Sequence, residues 1–292
     1  MMEEVNPVPV SNSDGSCSQS FPQESDKKRL PRSQKKKLAK ERYREKRREK
    51  RREKRKERNQ RESRELKKIL ENMTEEQKNE YLADKKRREA QLKVQQEIFL
   101  QDAHDHGMPI CLNLNFYTIM NEKELKSLAR QVSYIYSCIK KQQAKIKLIL
   151  AGLDSNSILY TYLQLYDIDR WKVHKHAQDY WDVIDKKEII VLSPDANEEI
   201  EIVDPTKTYI IGGLVDVNVK KKLTLTQAVE HGLVTRALPI KKYFPNCKKK
   251  ILNISAVFGI LIMRANNHTW EEAFQTWIPI RARRDNTKDI IN

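Results

Sequence analysis

The chain has 292 residues, with 57 Lys and Arg against 41 Asp and Glu, so its formal net charge is +16. Charged residues make up 34% of the chain, more than the quarter typical of a globular domain, so part of it is expected outside any core. No apolar run reaches the roughly 18 residues that span a bilayer. The polar residues 1–20 resemble neither a secretory signal nor a mitochondrial transit peptide. Four widely spaced cysteines argue against a disulfide framework and against a zinc ribbon.

The positive charge is concentrated in residues 27–68, which contain 24 basic and 7 acidic residues and carry a net charge of +17. Glu and Lys each recur every four residues there, and neither Gly nor Pro follows Pro31 in the segment. This spacing predicts a helix supported by ion pairs along its surface. A helix that is polar on every side has no face to bury in a core. We therefore expect a basic helical arm that contacts nucleic-acid phosphates, through Lys46, Lys50, Lys54 and Arg58. The alternative, a solvated helix that serves as a nuclear localisation signal, is compatible with this one.

Two segments flank the arm. Residues 1–26 are rich in Ser, Pro, Asn and acidic residues and are expected to be a disordered tail. Residues 69–108 are predicted to be a helical linker, in which Thr74 and Gln77 form a capping box and the helix ends near Asp105.

From Pro109 onward, predicted strands alternate with predicted helices. The strands are expected at residues 110–114, 145–153, 171–174, 189–192, 208–211 and 234–238. The helices are expected at residues 125–139, 157–166, 178–184, 224–231 and 251–263, with a final helix capped by Thr269 and Glu272. Thr224 and Gln227 are predicted to form the capping box of the fourth helix, which a glycine at 232 closes. This alternation predicts an α/β fold with a mostly parallel sheet.

Ligands of such sheets bind beyond the carboxyl ends of the strands. The loops after Leu192, Ile211 and Leu238 are therefore the candidate site. In the middle loop, Gly212 and Gly213 precede Asp216 by a few residues. Paired glycines allow a close backbone approach to a ligand or a positive φ, and the carboxylate can accept a proton. The alternative is a tight turn in which Asp216 caps the next element.

Other chemistries have no support in the sequence. Dinucleotide-binding glycine motifs, a P-loop and a nucleophile elbow do not occur. The histidines of the two His-x-His pairs, at 104/106 and 174/176, lack further ligands at metal-site spacing, so we predict no metal site.

Residues 109–284 resemble the SPOUT-superfamily tRNA methyltransferases that methylate N1 of the purine at position 9. The resemblance rests on four stretches in matching order and spacing, residues 190–195, 209–218, 236–240 and 270–274. The basic arm resembles the N-terminal extension of the eukaryotic nuclear and cytoplasmic members.

The resemblance implies an α/β fold with a C-terminal trefoil knot, preceded by a charged helical extension and followed by a tail at residues 285–292. It implies S-adenosylmethionine as cofactor, bound by the positions that match the family's cofactor loops: Leu192, Gly212, Gly213, Ala228, Leu238 and Asn253. Asp216 matches the proposed general base, and Gln131 matches a residue of the family's RNA-docking helix. The implied substrate is tRNA, and the implied protein is a monomer found in nucleus and cytoplasm.

The chain departs from the family pattern at several positions that bear on RNA docking and purine choice. Tyr134 stands where Arg is usual, Ile139 where Asn is usual, and Ala256 where His is usual. We expect methylation of guanine 9, since its N1 carries the proton that Asp216 would remove. The alternatives are methylation of adenine 9 or of both purines, a non-catalytic tRNA-binding homologue, and a nuclear interaction protein built around the charged helix.

Overall fold

The computed structural model describes residues 31–215, 222–245, 247 and 251–283. The chain divides into two compact units, with the boundary between Leu82 and Ala83. The predicted tails at residues 1–26 and 285–292 lie outside the described residues. Within the described part, no helix is both long and apolar enough to cross a membrane.

The first unit consists of α1 (Arg32–Glu71) and the beginning of α2 (Glu75–His106). The predicted arm helix is confirmed: α1 has 40 residues, and none of them is buried. The capping box that opens α2 is confirmed as well. The Thr74 hydroxyl accepts from the Gln77 N–H at 3.4 Å, and the Gln77 side chain accepts from the Thr74 N–H at 3.0 Å.

The second unit contains a six-stranded sheet. Its strands are β1 (Met108–Asn113), β2 (Ile146–Ala151), β3 (His174–Lys175), β4 (Ile189–Leu192), β5 (Thr208–Gly212) and β6 (Val234–Arg236). Their order across the sheet is β3-β2-β1-β5-β4-β6, and every pairing is parallel. The α/β expectation is confirmed, and the sheet is more uniformly parallel than predicted.

Helices connect and cover these strands. They are α3 (Glu122–Gln142), α4 (Ile158–Gln164), α5 (Tyr180–Val183), α6 (Leu223–Glu230), α7 (Ile240–Tyr243), α8 (Ile254–Ala265), α9 (Trp270–Trp277) and α10 (Ile280–Arg283). The capping box of Thr269 and Glu272 is confirmed at the start of α9. The short α7 and α10 are additions to the predicted elements.

Alternate strand residues face opposite sides of the sheet, and two apolar clusters result. On one face, Ile110 and Leu112 of β1 belong to a large cluster that includes side chains of α3, α8 and α9. On the other face, Cys111 lies in a smaller cluster with Tyr180 of α5 and Ala228 of α6. The sheet is therefore covered on both faces, as parallel sheets usually are.

The sequence-based capping box at Thr224 and Gln227 is wrong. α6 begins at Leu223 after Lys222, which has a φ of +64° and supplies no side-chain cap. The Gln227 side chain instead accepts a hydrogen bond from Asn113 of β1 at 2.7 Å. The glycine end of α6 is as predicted, with Gly232 at a φ of +66°.

The third strand is shifted from the expected residues 171–174 to His174–Lys175. Trp171 is not in the ladder, because it closes a short 3-10 turn (Ile168–Arg170), where its backbone N–H donates to the Ile168 carbonyl at 3.1 Å. Its indole N–H donates to the Tyr166 carbonyl at 3.0 Å, and its ring stacks on Tyr136 at 4.7 Å.

Candidate active site

The three loops singled out in the sequence meet at one edge of the sheet. In the parallel ladders, Leu192 at the end of β4 pairs with Ile211 of β5 and with Arg236 of β6. The ladder continues beyond Leu192, where the Ser193 N–H donates to the Arg236 carbonyl at 3.0 Å. The segments that follow β4, β5 and β6 therefore leave the sheet side by side.

Gly212 and Gly213 are explained by close approach to the protein itself. A Cβ at Gly212 would lie 2.6 Å from the Thr224 Oγ1 of α6, and a Cβ at Gly213 would lie 2.5 Å from the Asn113 carbonyl oxygen. The Gly213 N–H donates to that same carbonyl at 2.7 Å. Neither glycine has a positive φ, so that alternative is wrong. The close approach seen here is to the protein's own α6 and β1, and the expected approach to a ligand stays a prediction.

Asp216, the expected general base, lies outside the described residues, which stop at Val215 on this side of the gap. The Val215 N–H donates to the Met120 sulfur at 3.4 Å. The catalytic role of Asp216 stays a prediction.

A buried polar pair at this edge was not predicted as part of the site. Asn113 is fully buried at the end of β1, opposite Gly212 in the ladder. Its amide donates to the Gln227 side chain at 2.7 Å, and its Oδ1 accepts from the Asn115 N–H at 3.2 Å. Both bonds satisfy a polar group that would otherwise be costly to bury. The sequence feature that could have predicted this pair is an asparagine inside an otherwise apolar strand.

Ala228 is fully buried beneath the sheet, one residue after the Gln227 that bonds Asn113. It belongs to the smaller apolar cluster with Cys111. Burial raises the pKa of the Cys111 thiol well above its usual value. Because the thiolate is the nucleophilic form, Cys111 is a packing residue and not a nucleophile.

Leu238 and Asn253 flank the segment that follows β6. Leu238 is half-buried, and its carbonyl accepts from the Ile240 N–H at 2.7 Å. Asn253 is exposed, and its side chain accepts from the Ala256 N–H at 2.9 Å, which caps α8. Asn253 thus has a structural task at the predicted cofactor position.

The chemistry of this edge suits a cofactor held mainly by backbone groups. Three of the side chains that reach it, Leu214, Val215 and Leu238, are apolar and half-buried and lie against the large core cluster. The space where a Gly213 Cβ would stand is occupied by the Asn113 carbonyl oxygen. A ligand would therefore lie beyond the two glycines and not at their Cβ positions.

A mixed polar cleft of about 650 Å³ adjoins β6. The Arg236 guanidinium and the Glu198 carboxylate, 2.9 Å apart, form an ion pair in its wall. The cleft does not include the predicted cofactor positions.

The predicted RNA-contact residues fall in both units. Lys46, Lys50, Lys54 and Arg58 are exposed at four-residue intervals along α1. They therefore lie on one side of the helix, over about 18 Å. Gln131 belongs to α3, is half-buried, and its Oε1 is buried with no hydrogen-bond partner among the described residues.

The two histidine pairs come together without forming a metal centre. The rings of His104 and His174 stack at 3.9 Å, and the His174 Nε2 lies 3.0 Å from the His104 carbonyl oxygen. Within the described residues, no group of three or more His, Cys, Asp or Glu side chains has the arrangement of a metal site.

Sequence comparison relates most of the chain to one family. A model of the family described as tRNA (guanine(9)-N(1))-methyltransferase TRM10/TRM10A matches residues 28–283. The tRNA (guanine(9)-N1)-methyltransferase of Eremothecium gossypii is 32% identical over 179 residues, which are 61% of this chain and 60% of that protein. The tRNA methyltransferase 10 homolog B of Bos taurus is 32% identical over 190 residues, which are 62% and 60%. The chain thus spans about 60% of the length of these curated relatives.

Comparison of structures gives the same relationship. A crystal structure described as full-length spTrm10 in complex with SAH is 30% identical to the chain, with a TM-score of 0.54. The match covers 59% of this chain and 94% of that one. A second structure, described as spTrm10(74), is 31% identical with a TM-score of 0.55 and the same coverage. The α/β fold with its parallel sheet is therefore shared with these proteins.

Proposed function

Because this chain belongs to the tRNA (guanine(9)-N(1))-methyltransferase TRM10/TRM10A family, we propose that it transfers a methyl group from S-adenosylmethionine to N1 of guanine 9 in tRNA. The observation that carries the proposal is the meeting of the loops after β4, β5 and β6 at one edge of the sheet. Four of the six positions expected to line the cofactor site, Leu192, Gly212, Gly213 and Leu238, lie in or next to those loops.

The cofactor, when bound, supplies an electrophilic methyl group on a sulfonium. The backbone beside Leu192, Gly213 and Leu238 would hold it, and the half-buried Leu214 and Leu238 would shield the reacting atoms from water. The two glycines let the end of β5 pack closely against α6 and β1, so they would form the protein side of the cofactor site.

Asp216 is the proposed general base. Methylation at N1 of guanine breaks the N1–H bond as the new N1–C bond forms, and a carboxylate three residues beyond Gly213 would take the proton. An ordinary Asp titrates near 3.9 and is a weak base for this task. Asp216 therefore requires either a raised pKa or a role shared between proton transfer and orientation of the purine.

The arm is the proposed phosphate-contacting element. No residue of α1 is buried, and residues 27–68 carry +17, so binding would release counterions and be strongly salt-dependent. Gln131 is a proposed contact in the catalytic unit because it matches a position of the family's RNA-docking helix; its Oε1 is buried and would not be the contacting atom.

The remaining expectations follow from the family. We propose a C-terminal trefoil knot, a monomeric protein, and nuclear and cytoplasmic location. We also propose the division into arm, linker and a methyltransferase domain that begins near residue 109. In support of the knot, Thr224 of α6 packs against Gly212, so the chain comes back to the end of β5 after leaving that strand.

The test is mass spectrometry of nucleosides after incubating the full chain and S-adenosylmethionine with unmodified tRNAs that carry G9 or A9. N1-methylguanosine from the G9 tRNA supports the proposal. N1-methyladenosine alone would replace guanine with adenine as the substrate. Absence of both products, with tRNA still bound, would identify a non-catalytic homologue.

A further inference from the structure

The outer face of α3 combines exposed basic side chains with one exposed aromatic ring. Lys123, Arg130, Tyr134 and Lys141 are exposed and follow one another at intervals of seven, four and seven residues. These intervals place them on one side of a helix, over about 27 Å of its length.

This face carries little compensating negative charge. The acidic residues of α3 are Glu122 and Glu124, both in its first turn. Glu122 is paired with Lys126, and Glu124 is buried and closes the capping box with Asn121. From the second turn onward the exposed charges of α3 are positive.

The ring of Tyr134 is both exposed to solvent and held in place by a neighbouring ring. Its side chain is 51% exposed, and its ring meets the edge of the Trp277 ring of α9 at 6.4 Å with an interplanar angle of 75°. Trp277 is itself fixed, because its indole fills the space above Gly259 of α8, where any Cβ would overlap the ring. The edge-to-face contact restrains the tyrosine ring while leaving a face to solvent.

We infer that an unpaired base of the tRNA stacks on Tyr134, on the outer face of the helix that the family resemblance already assigns to RNA docking. Arg130 lies one turn before Tyr134 and Lys141 two turns after it, so both are placed to meet the phosphates flanking a stacked base. Aromatic platforms between basic side chains are how proteins bind unpaired nucleotides. The inference rests on the proposed tRNA substrate and adds the kind of contact that this unit makes.

The experiment uses the full chain and measures its Kd for unmodified tRNA as a function of salt concentration. Tyr134→Ala should weaken binding about 5- to 150-fold, the range found when a stacking ring is removed. The salt slope should not change, because no charge is lost. Tyr134→Phe keeps the ring and should bind within about twofold of the wild type. Tyr166→Ala removes another exposed tyrosine, beyond the end of α4, and should leave the Kd unchanged.

Two further measurements separate stacking from charge. Arg130→Ala should lower the salt slope by about one. On a fully base-paired RNA, which offers no unpaired base, Tyr134→Ala and wild type should bind alike. Unchanged tRNA binding by Tyr134→Ala would overturn the inference and favour an acidic protein partner for this face. A Tyr134→Ala loss of equal size on the duplex would also overturn it.

These outcomes are distinguishable from failure of the proposed reaction. A chain that binds tRNA through Tyr134 but forms no methylated product leaves the stacking inference standing. A chain that methylates G9 with an unchanged KM for tRNA in Tyr134→Ala rejects the stacking inference alone.

Discussion

Replacement of Gly212 by alanine tests how the candidate site is built. The added Cβ would lie 2.6 Å from the Thr224 Oγ1, well short of the 3.4 Å at which ordinary contact begins. Overpacking of this kind costs about 1–3 kcal/mol. For a domain of this size each kcal/mol shifts the Tm by about 2–4 °C, so Gly212→Ala should lower the Tm by about 2–12 °C in a thermal unfolding assay.

A second substitution, Thr224→Ala, tests whether the clash with Thr224 causes the loss of Tm. The Thr224 Cβ, which alanine keeps, would lie 3.6 Å from the methyl carbon added at position 212, an ordinary contact. The pair Gly212→Ala and Thr224→Ala should therefore recover most of the lost Tm. Gly213→Ala is the matched control, because its clash is with the Asn113 backbone carbonyl at 2.5 Å, which Thr224→Ala cannot relieve.

Three measurements decide between packing and ligand approach. A wild-type Tm in Gly212→Ala, or no recovery in the pair, would refute the packing explanation. Calorimetry then measures the affinity of each variant for S-adenosylhomocysteine. Retained affinity in the recovered pair identifies Gly212 as a packing residue, whereas lost affinity shows that the cofactor also needs the space beside it.

Four other perturbations have defined outcomes. Removal of residues 1–71 should weaken tRNA binding and flatten its salt dependence, equally for cognate and non-cognate tRNAs, as measured by salt titration of the Kd. Asp216→Asn should slow single-turnover methylation of a G9 tRNA about 10²-fold, at the lower end of the range for general base catalysis, with cofactor affinity kept; full activity would exclude the base role. Asn113→Leu should lower the free energy of unfolding by about 1–3 kcal/mol in denaturant titration, since it removes the hydrogen-bond donor of the half-buried Gln227 side-chain carbonyl. Burial lowers the pKa of His174 below its usual value, so the unfolded chain takes up a proton first and stability should fall as pH drops through about 6.5. His174→Gln should flatten that fall in Tm measured between pH 7.5 and 5.5.

The capping boxes show what local sequence can and cannot predict. Thr74 with Gln77 and Thr269 with Glu272 cap helices as their spacing predicts, because both partners lie within one turn and face solvent. The same pattern at Thr224 fails, because the Gln227 side chain bonds Asn113 more than a hundred residues earlier. A hydrogen bond to a residue distant in sequence uses the Gln227 side chain that the local capping motif requires.

The candidate site divides in the same way. The meeting of the loops after Leu192 and Ile211 was predictable, because parallel strands end at a common edge. The reason for Gly213 was not, because it depends on which carbonyl of β1 lies opposite β5. The sequence contains the apolar strands but not their register, so the packing role of the glycine appears only in the folded chain.

The order of the strands also dictates when the sheet can close during synthesis. β1 pairs with β2 soon after it is made, but its other edge must wait for β5, whose Tyr209 pairs with Ile110 from about a hundred residues earlier. At a translation rate of about 5–20 residues per second, that edge stays open for about 5–20 s. During that interval an apolar strand presents unpaired N–H and C=O groups, the template for edge-to-edge aggregation. A nascent chain of this protein therefore needs its central strand shielded until β5 emerges, and changes that slow elongation between β2 and β5 should lower soluble yield without altering the finished fold.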